Sequence, residues 1–172
     1  MLKSKNFGLF ENDPVSYDRM DHMVYAEGRY LGYRYLDKAA KKAQFPFGFG
    51  LSYTDFKIDQ LKVSRSSFSQ GEEIKVTVSV TNTGDCAGAE VVQLYVHAVD
   101  SKVDRVQKEL KGFEKVRLEP GETKSVSMPL TADSFRYYDT EESRWITESG
   151  VYEILIGNSS ENLTLVTSVT FR

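Results

Sequence analysis

EEIKVTVSVTNTGDCAGAEVVQLYV, residues 72–96, is the stretch that decides the fold class. Apolar side chains occupy every second position before and after a central polar segment, a period of two that is typical of β-strands with one buried face. The alternating apolar positions are Ile74, Val76, Val78, Val80, Val92, Leu94 and Val96. The segment between them, TNTGDCAG at 81–88, is rich in residues that favour turns. The stretch therefore predicts two strands that each present an apolar face to a core.

The same alternation recurs through residues 54–172. Further strands are expected at Phe56–Val63, Val126–Leu130, Val151–Ile156 and Leu163–Phe171. Six or seven short strands in about 120 residues favour an all-β, immunoglobulin-like sandwich of two sheets. We therefore predict a two-sheet β-sandwich over residues 54–172.

Three local features refine this prediction. The apolar phase of the first strand slips between Ile58 and Leu61, which predicts a β-bulge. Pro120 and Gly121 suit the central positions of a type II turn. Tyr152, just inside a late strand, is a candidate tyrosine corner, with an ordinary core tyrosine as the alternative.

Residues 1–53 do not resemble a complete domain. They offer a strand or short helix around Val24–Leu36 and a basic helix or turn at Asp37–Gln44, and about fifty such residues cannot bury enough surface to offset chain entropy. The following connector, FPFGFGLSYTDF at 45–56, holds five aromatic rings and two glycines in twelve positions. A flexible tether is normally polar, so this connector is expected to be buried against another surface.

Several blocks resemble the C-terminal region of family 3 glycoside hydrolases, enzymes of the β-glucosidase and β-xylosidase type. They occur in the family's order: YAEGRYLGYRYLD (25–37), FPFGFGLSYTDF (45–56), VTNTGDCAGAEVVQLYV (80–96), KELKGFEKVRLEPGE (108–122) and SGVYEILIGNSS (149–160). The resemblance implies that residues 1–53 are the remnant of an α/β domain plus connector. It also implies that residues 54–172 are a fibronectin type III-like domain.

The resemblance also assigns roles to the connector. Its rings would be packing residues between domains, while Gly48 and Gly50 would let the backbone bend or approach another segment closely. The rings are those of Phe45, Phe47, Phe49, Tyr53 and Phe56. The implied partners are the catalytic domains of the same polypeptide. In an isolated chain, self-association through residues 45–56 is the alternative, because large exposed apolar patches are unfavourable on a monomer.

No catalytic, cofactor-binding or metal-binding residue is predicted. Retaining glycoside hydrolysis needs two carboxyl groups about 5 Å apart, and the family draws its nucleophilic Asp and its acid/base Glu from upstream segments. Glu27 alone makes no such site, and a loosely spaced trio falls short of a metal-ligand pattern. That trio is Asp18, Asp21 and His22. His97 is interpreted as a surface residue and Cys86, the only cysteine, as inert.

The predicted function is a non-catalytic C-terminal fragment whose sandwich stabilises or orients the catalytic domains. The full-length enzyme would hydrolyse terminal β-glycosidic bonds. A complete small hydrolase would need motifs that this chain lacks.

An autonomous carbohydrate-binding or adhesion module is the alternative function. Tyr137, Tyr138 and Trp145 would stack on sugar rings in such a module, although their position favours core residues. The sequons at Asn158 and Asn162 would matter only in a secretory eukaryotic setting.

Composition sets the remaining expectations. The formal net charge of −3 gives no electrostatic reason to expect nucleic acid or an anionic membrane as a partner. No apolar run approaches the roughly 20 residues that span a bilayer, and the N-terminus lacks the apolar core of a signal peptide. Localisation stays open: a soluble protein, cytoplasmic or secreted depending on sequence upstream.

Overall fold

The structure, a computed structural model, describes residues 28–172. A short helix, α1 (Tyr33–Lys38), precedes ten strands, and a 3-10 turn spans Ala132–Ser134. The strands are β1 (Phe56–Val63), β2 (Ser67–Phe68), β3 (Glu73–Asn82), β4 (Gly88–Ala98), β5 (Glu109–Leu118), β6 (Thr123–Thr131), β7 (Tyr137–Asp139), β8 (Arg144–Ile146), β9 (Gly150–Gly157) and β10 (Leu163–Phe171).

The strands form two facing sheets and a separate ribbon. One sheet has the order β1-β3-β6 and the other the order β2-β10-β9-β4-β5, while β7 and β8 pair only with each other. Every pairing is antiparallel except that of β2 with β10. The prediction of an all-β sandwich of two sheets is confirmed.

The core lies between the two sheets and follows the alternation in the sequence. The inward side chains of β3, β4 and β6 are buried, as are those of β9. They are Ile74, Val76, Val78, Val80, Val92, Leu94, Val96, Val126, Met128, Leu130, Tyr152, Ile154 and Ile156. At one end, Phe135 contacts the rings of Phe68 and Tyr152 with centroid separations of 4.9 Å. Burial of this apolar area is the main stabilising term of the fold.

The three local predictions are confirmed. The β1–β3 register shifts between Asp59 and Lys62, with Gln60 at a φ of 54°, which is the expected bulge. Gly121 has a φ of 74°, as position i+2 of a type II turn requires. The hydroxyl of buried Tyr152 donates to the Glu148 carbonyl at 2.8 Å, four residues upstream, so it is a tyrosine corner. Burial raises the pKa of Tyr152.

The expectation that Trp145 and Tyr138 are core residues is wrong. The 3-10 turn places Ala132 and Phe135 in the core instead, and the chain then leaves the sandwich to form the β7–β8 ribbon. Trp145 is 56% exposed and Tyr138 is 49% exposed, and their rings meet edge to face at 5.5 Å.

His97 also departs from the prediction, because it is half-buried rather than on the surface. It lies on β4 between β9 and β5, opposite Glu153 of β9, and its Nδ1 is buried without a hydrogen-bond partner in the described part of the chain. The interpretation of Cys86 stays a prediction, and its side chain is exposed and free. Asp18, Asp21, His22 and Glu27 lie outside the described residues.

Candidate functional site

The outer face of the five-stranded sheet is covered at its centre. Gln93 and Tyr95 of β4 alternate with core residues and so point away from the sandwich interior, yet they are only 3% and 0% exposed. Alternation alone would leave both side chains in solvent. The cover comes from the segment that precedes the first strand.

Helix α1 supplies the first part of this cover. The Tyr33 ring packs edge-on against Tyr95, with centroids 5.7 Å apart and an interplanar angle of 88°. The Tyr33 hydroxyl accepts a hydrogen bond from the backbone N–H of Leu110 on β5 at 3.2 Å. Burial raises the pKa of Tyr95, with smaller contributions from Tyr33 and Asp37. Helix α1 is thereby attached to the central strand β4 and to the edge strand β5.

An ion pair beside the helix strengthens this attachment. The Lys108 ammonium lies 2.6 Å from the Asp37 carboxylate, and each side chain is only 14% exposed. Gln107 donates from Nε2 to the Asp37 carbonyl at 3.3 Å. Sequence analysis missed this pair, because the two residues lie 71 positions apart and neither belongs to a recognisable motif.

The connector continues across the sheet, held by its backbone. The N–H of Ser160 donates to the Phe47 carbonyl at 2.8 Å, and the N–H of Ala43 donates to the Glu161 carboxylate at 2.8 Å. Gly48 lies directly over Gln93: a β-carbon there would fall 1.8 Å from Gln93 Nε2, and its φ is +85°. Only glycine satisfies both conditions.

The apolar side chains of the connector face outward. Between 47% and 98% of each is exposed, in Phe45, Phe47, Phe49, Leu51 and Tyr53. The ring of Phe47 contacts Tyr33 at 5.8 Å, and the rings of Phe45 and Phe49 lie 5.4 Å apart. The backbone of the connector thus folds over the sandwich while four of its five rings are presented to solvent. The fifth ring, Phe56, begins β1 and packs against the sandwich core, so it is not a residue between domains as expected. The packing of the other four rings between domains stays a prediction.

A buried cluster fixes the point where the connector enters β1. Thr54 is nearly buried, and its hydroxyl donates to Asn82 Oδ1 at 2.7 Å. Gly84 and Gly88 leave room for it, since a β-carbon on either would lie 2.4–2.6 Å from the Thr54 side chain. The connector is therefore held at its C-terminal end by Thr54 as well as near its middle by the backbone of Phe47.

A groove of about 740 Å³ lies between the connector and the sheet. Its walls come from residues 43–53, from the start of β4, from β5 at Lys115 and from the β9–β10 loop. Polar side chains in the loop are already engaged, since Asn158 Nδ2 donates to Glu90 at 3.1 Å and Asn162 Nδ2 donates to Asn158 at 2.8 Å. Its apolar wall includes Phe49, Leu51 and Val91.

Residues 28–172 show neither a metal-ligand cluster nor a membrane-spanning helix. No group of three or more His, Cys, Asp or Glu side chains in that range is placed to hold a metal ion. No helix in that range is long and apolar enough to cross a bilayer. The prediction of no catalytic residue in this chain remains a prediction.

Comparison with known proteins places this geometry in a family. The fibronectin type III-like domain family matches residues 90–160. Thermostable β-glucosidase B of Acetivibrio thermocellus is 48% identical over 149 residues, which is 87% of this chain and 20% of that protein. A β-glucosidase of Kluyveromyces marxianus is 47% identical over 145 residues, 82% of this chain and 16% of that protein. The chain belongs to the C-terminal, fibronectin type III-like region of family 3 glycoside hydrolases.

Solved structures of β-glucosidases agree with this assignment. The crystal structure of the Kluyveromyces marxianus β-glucosidase superposes with a TM-score of 0.81 at 42% identity, covering 90% of this chain and 19% of that one. A family 3 β-glucosidase of Bifidobacterium adolescentis gives a TM-score of 0.79 at 38% identity, covering 92% of this chain and 24% of that one. The chain spans about a fifth of these relatives, so it corresponds to one part of a larger polypeptide.

Proposed function

We propose that this chain is the C-terminal scaffold of a family 3 glycoside hydrolase that hydrolyses terminal β-glycosidic bonds, and that it orients the catalytic domains. One observation carries the proposal: the connector is fixed to the sandwich through its backbone, while the large apolar side chains of residues 45–53 are 47–98% exposed. A tether would be mobile and polar. This connector is an ordered apolar surface without a partner in the described chain.

The contacts support a particular domain arrangement. Residues 1–53 form the end of the α/β domain plus the connector, and residues 54–172 form the fibronectin type III-like domain. Helix α1 makes both the Tyr33–Leu110 hydrogen bond and the Asp37–Lys108 ion pair, so the end of the α/β domain is attached to the sandwich at two points. These two contacts would hold the catalytic domains in a fixed orientation relative to the sandwich.

The test is a chimera in which this chain replaces the matching region of Acetivibrio thermocellus β-glucosidase B. The double variant Leu51→Ser/Tyr53→Ser should lower the melting temperature of the chimera by several degrees and weaken its hydrolysis of an aryl β-glucoside at elevated temperature. The melting temperature of the isolated chain should be unchanged, because these side chains are 87% and 98% exposed there. Apolar area buried in the chimera but not in the isolated chain explains the difference.

The control is Val166→Ser, an exposed apolar side chain on β10. A chimera that tolerates Leu51→Ser/Tyr53→Ser as well as Val166→Ser would contradict the scaffold proposal. Sedimentation velocity of the isolated chain measures its oligomeric state, since the exposed apolar side chains favour self-association through residues 45–56. In that case the double variant should shift the isolated chain toward the monomer.

A second candidate function is carbohydrate binding by the β7–β8 ribbon. The observation that favours it is the exposure of Tyr138 and Trp145, which the sandwich does not use for its core. Against it, the Arg136 guanidinium lies 4.8 Å from the centre of the Trp145 ring and covers part of that surface. Titration with soluble β-glucan oligosaccharides, followed by Trp145 fluorescence, should give a saturable change that Tyr138→Ala abolishes without unfolding. An unchanged spectrum at millimolar sugar would eliminate this candidate.

A further inference from the structure

The loop between β4 and β5, residues 99–108, contacts the base of the β7–β8 ribbon. The Glu148 carboxylate, two positions after β8, accepts a hydrogen bond from the Ser101 hydroxyl at 2.6 Å and another from the Lys102 N–H at 3.1 Å. These two bonds attach the end of the ribbon to the β4–β5 loop.

Arg105 of the same loop contacts the other strand of the ribbon. Its guanidinium donates to the Phe135 carbonyl at 2.9 Å, just before β7, and lies 5.7 Å from the centre of the Tyr137 ring. It also pairs with the Glu109 carboxylate of β5 at 2.8 Å, and its side chain is only 6% exposed. The loop therefore holds both ends of the ribbon.

The β4–β5 loop also contacts α1 and the residues just before it. The Asp104 carboxylate accepts a hydrogen bond from the Tyr30 hydroxyl at 2.6 Å. Tyr30 is packed on the helix, because the Lys38 ammonium lies 3.7 Å from the centre of its ring. The ion pair and the hydrogen bond that Asp37 makes with the end of the loop complete this side.

The two sets of contacts alternate along the loop. In chain order the contacting residues are Ser101, Lys102, Asp104, Arg105, Gln107 and Lys108, of which the third, fifth and sixth contact α1 or Tyr30. Val106 is the only buried residue of the loop, which has no helix or strand of its own. Because ordering a loop costs conformational entropy, the loop depends on the contacts from both sides.

The ribbon and α1 both need support from a neighbour. The ribbon has two strands of three residues that pair only with each other, and an isolated two-stranded ribbon is marginally stable at best. Helix α1 has six residues and no buried side chain, which is too short for a helix to be stable alone. The β4–β5 loop is the neighbour that they share.

We propose that the β4–β5 loop couples the β7–β8 ribbon to α1, so that loosening either element loosens the other. The inference rests on the domain arrangement proposed above, in which α1 belongs to the end of the α/β domain. A ligand or partner that orders the ribbon at its exposed Tyr138 and Trp145 rings would then strengthen the attachment of that domain. The coupling is reciprocal, because both elements bias the same loop.

The purified chain carries a reporter for each element. Trp145 is the only tryptophan and lies in β8, so the time-resolved anisotropy of its fluorescence measures local motion of the ribbon. Lys41 and Lys42 follow α1, so the rate of tryptic cleavage there measures loosening of the helix. Glu148→Ala removes the loop contact at the ribbon, and Asp37→Ala removes the loop contact at α1.

Each variant should change the reporter of the other element. Glu148→Ala should raise the rate of tryptic cleavage after α1 severalfold, because native-state cleavage follows the population of the open form. Asp37→Ala should enlarge the fast component of the Trp145 anisotropy decay. The double variant should change each reporter by less than the two single effects combined, since either substitution releases the loop on which the other acts.

Two acidic residues outside the loop contacts give matched controls. The Glu142 carboxylate, in the ribbon turn, bonds Arg144, so Glu142→Ala should leave tryptic cleavage after α1 unchanged. The exposed Glu119 pairs with Arg117, so Glu119→Ala should leave the Trp145 anisotropy unchanged.

Two results would overturn the inference. Tryptic cleavage of Glu148→Ala at the rate of Glu142→Ala, or fully independent effects in the double variant, would mean that the ribbon and α1 are not coupled. If hydrogen exchange in β3 accelerates as much as the distant reporter changes, the effect is global and does not pass through the loop. Failure of the scaffold proposal is distinguishable, because the chimera experiment tests connector side chains and contains no substitution at these loop contacts.

Discussion

Asn82→Ala should lower the free energy of unfolding of this chain by about 3–4 kcal/mol. The side chain is fully buried and makes four hydrogen bonds. Its Nδ2 donates to the carbonyls of Cys86 at 2.7 Å and Leu118 at 3.2 Å. Its Oδ1 accepts from the Thr54 hydroxyl at 2.7 Å and the Gly84 N–H at 3.1 Å. Alanine leaves all four groups without their partner, and a buried unsatisfied group costs about 1–3 kcal/mol.

Urea unfolding of the purified chain measures this loss. Asn82→Asp is the discriminating variant: it keeps the acceptor oxygen but turns the donor into a second carboxylate oxygen facing two carbonyls, so it should be no more stable than alanine. Asn162→Ala is the matched control, because that side chain is exposed and its loss should cost less than about 0.5 kcal/mol. An Asn82→Ala cost below 1 kcal/mol would show that water replaces the lost bonds.

The consequence of losing Asn82 reaches the connector. Thr54 lies two positions before β1 begins at Phe56, and its hydroxyl donates a hydrogen bond to Asn82. Asn82, at the end of β3, therefore also fixes the point where the connector enters β1. A loosened Thr54 would let the exposed rings of residues 45–53 move relative to the sheet, so the chimera should lose more stability than the isolated chain.

Much of the sandwich was predictable because its signals are local. The period of two at Ile74–Val80 identifies β3 without knowledge of its partners, since one buried face is enough to impose the alternation. The bulge near Gln60 and the turn at Gly121 are likewise encoded within a few residues. Position suggested a tyrosine corner as one of two alternatives for Tyr152, whose hydroxyl bonds a carbonyl only four residues away.

The cover on the outer face was not predictable from such local signals. Gln93 and Tyr95 have the spacing of solvent-facing residues, and only the arrival of α1 and Gly48 buries them. Trp145 is the opposite case, because the sequence favours a core position and the side chain is exposed. A large ring near the end of a sandwich favours the core, but Phe135 already fills that space, packed against Tyr152. Which of two nearby aromatics enters a core depends on packing among distant strands, which a single sequence does not display.

Asp37→Ala should destabilise the chain by about 3 kcal/mol, because it leaves the Lys108 ammonium largely buried without a counter-charge. Breaking a buried pair by removing one partner is far more costly than losing the pair altogether. Lys108→Met in the Asp37→Ala background should therefore recover most of the loss. The exposed pair Arg117–Glu119, with side chains 73% and 66% exposed, gives the control: Glu119→Ala should cost less than about 1 kcal/mol, since a solvated pair contributes little.

The location of the lost stability tests the role of the pair more sharply than its size. If Asp37 holds α1 on the sheet, Asp37→Ala should speed hydrogen exchange at the Leu110 N–H, whose acceptor is the Tyr33 hydroxyl, and should open Lys41 and Lys42 to trypsin. Exchange in β3 should speed up only in proportion to the loss of global stability. Equal acceleration at Leu110 and in β3 would mean that the pair stabilises the whole sandwich. Selective acceleration at Leu110 would mean that it fastens α1 and the connector, and through them the surface on which the catalytic domains would rest.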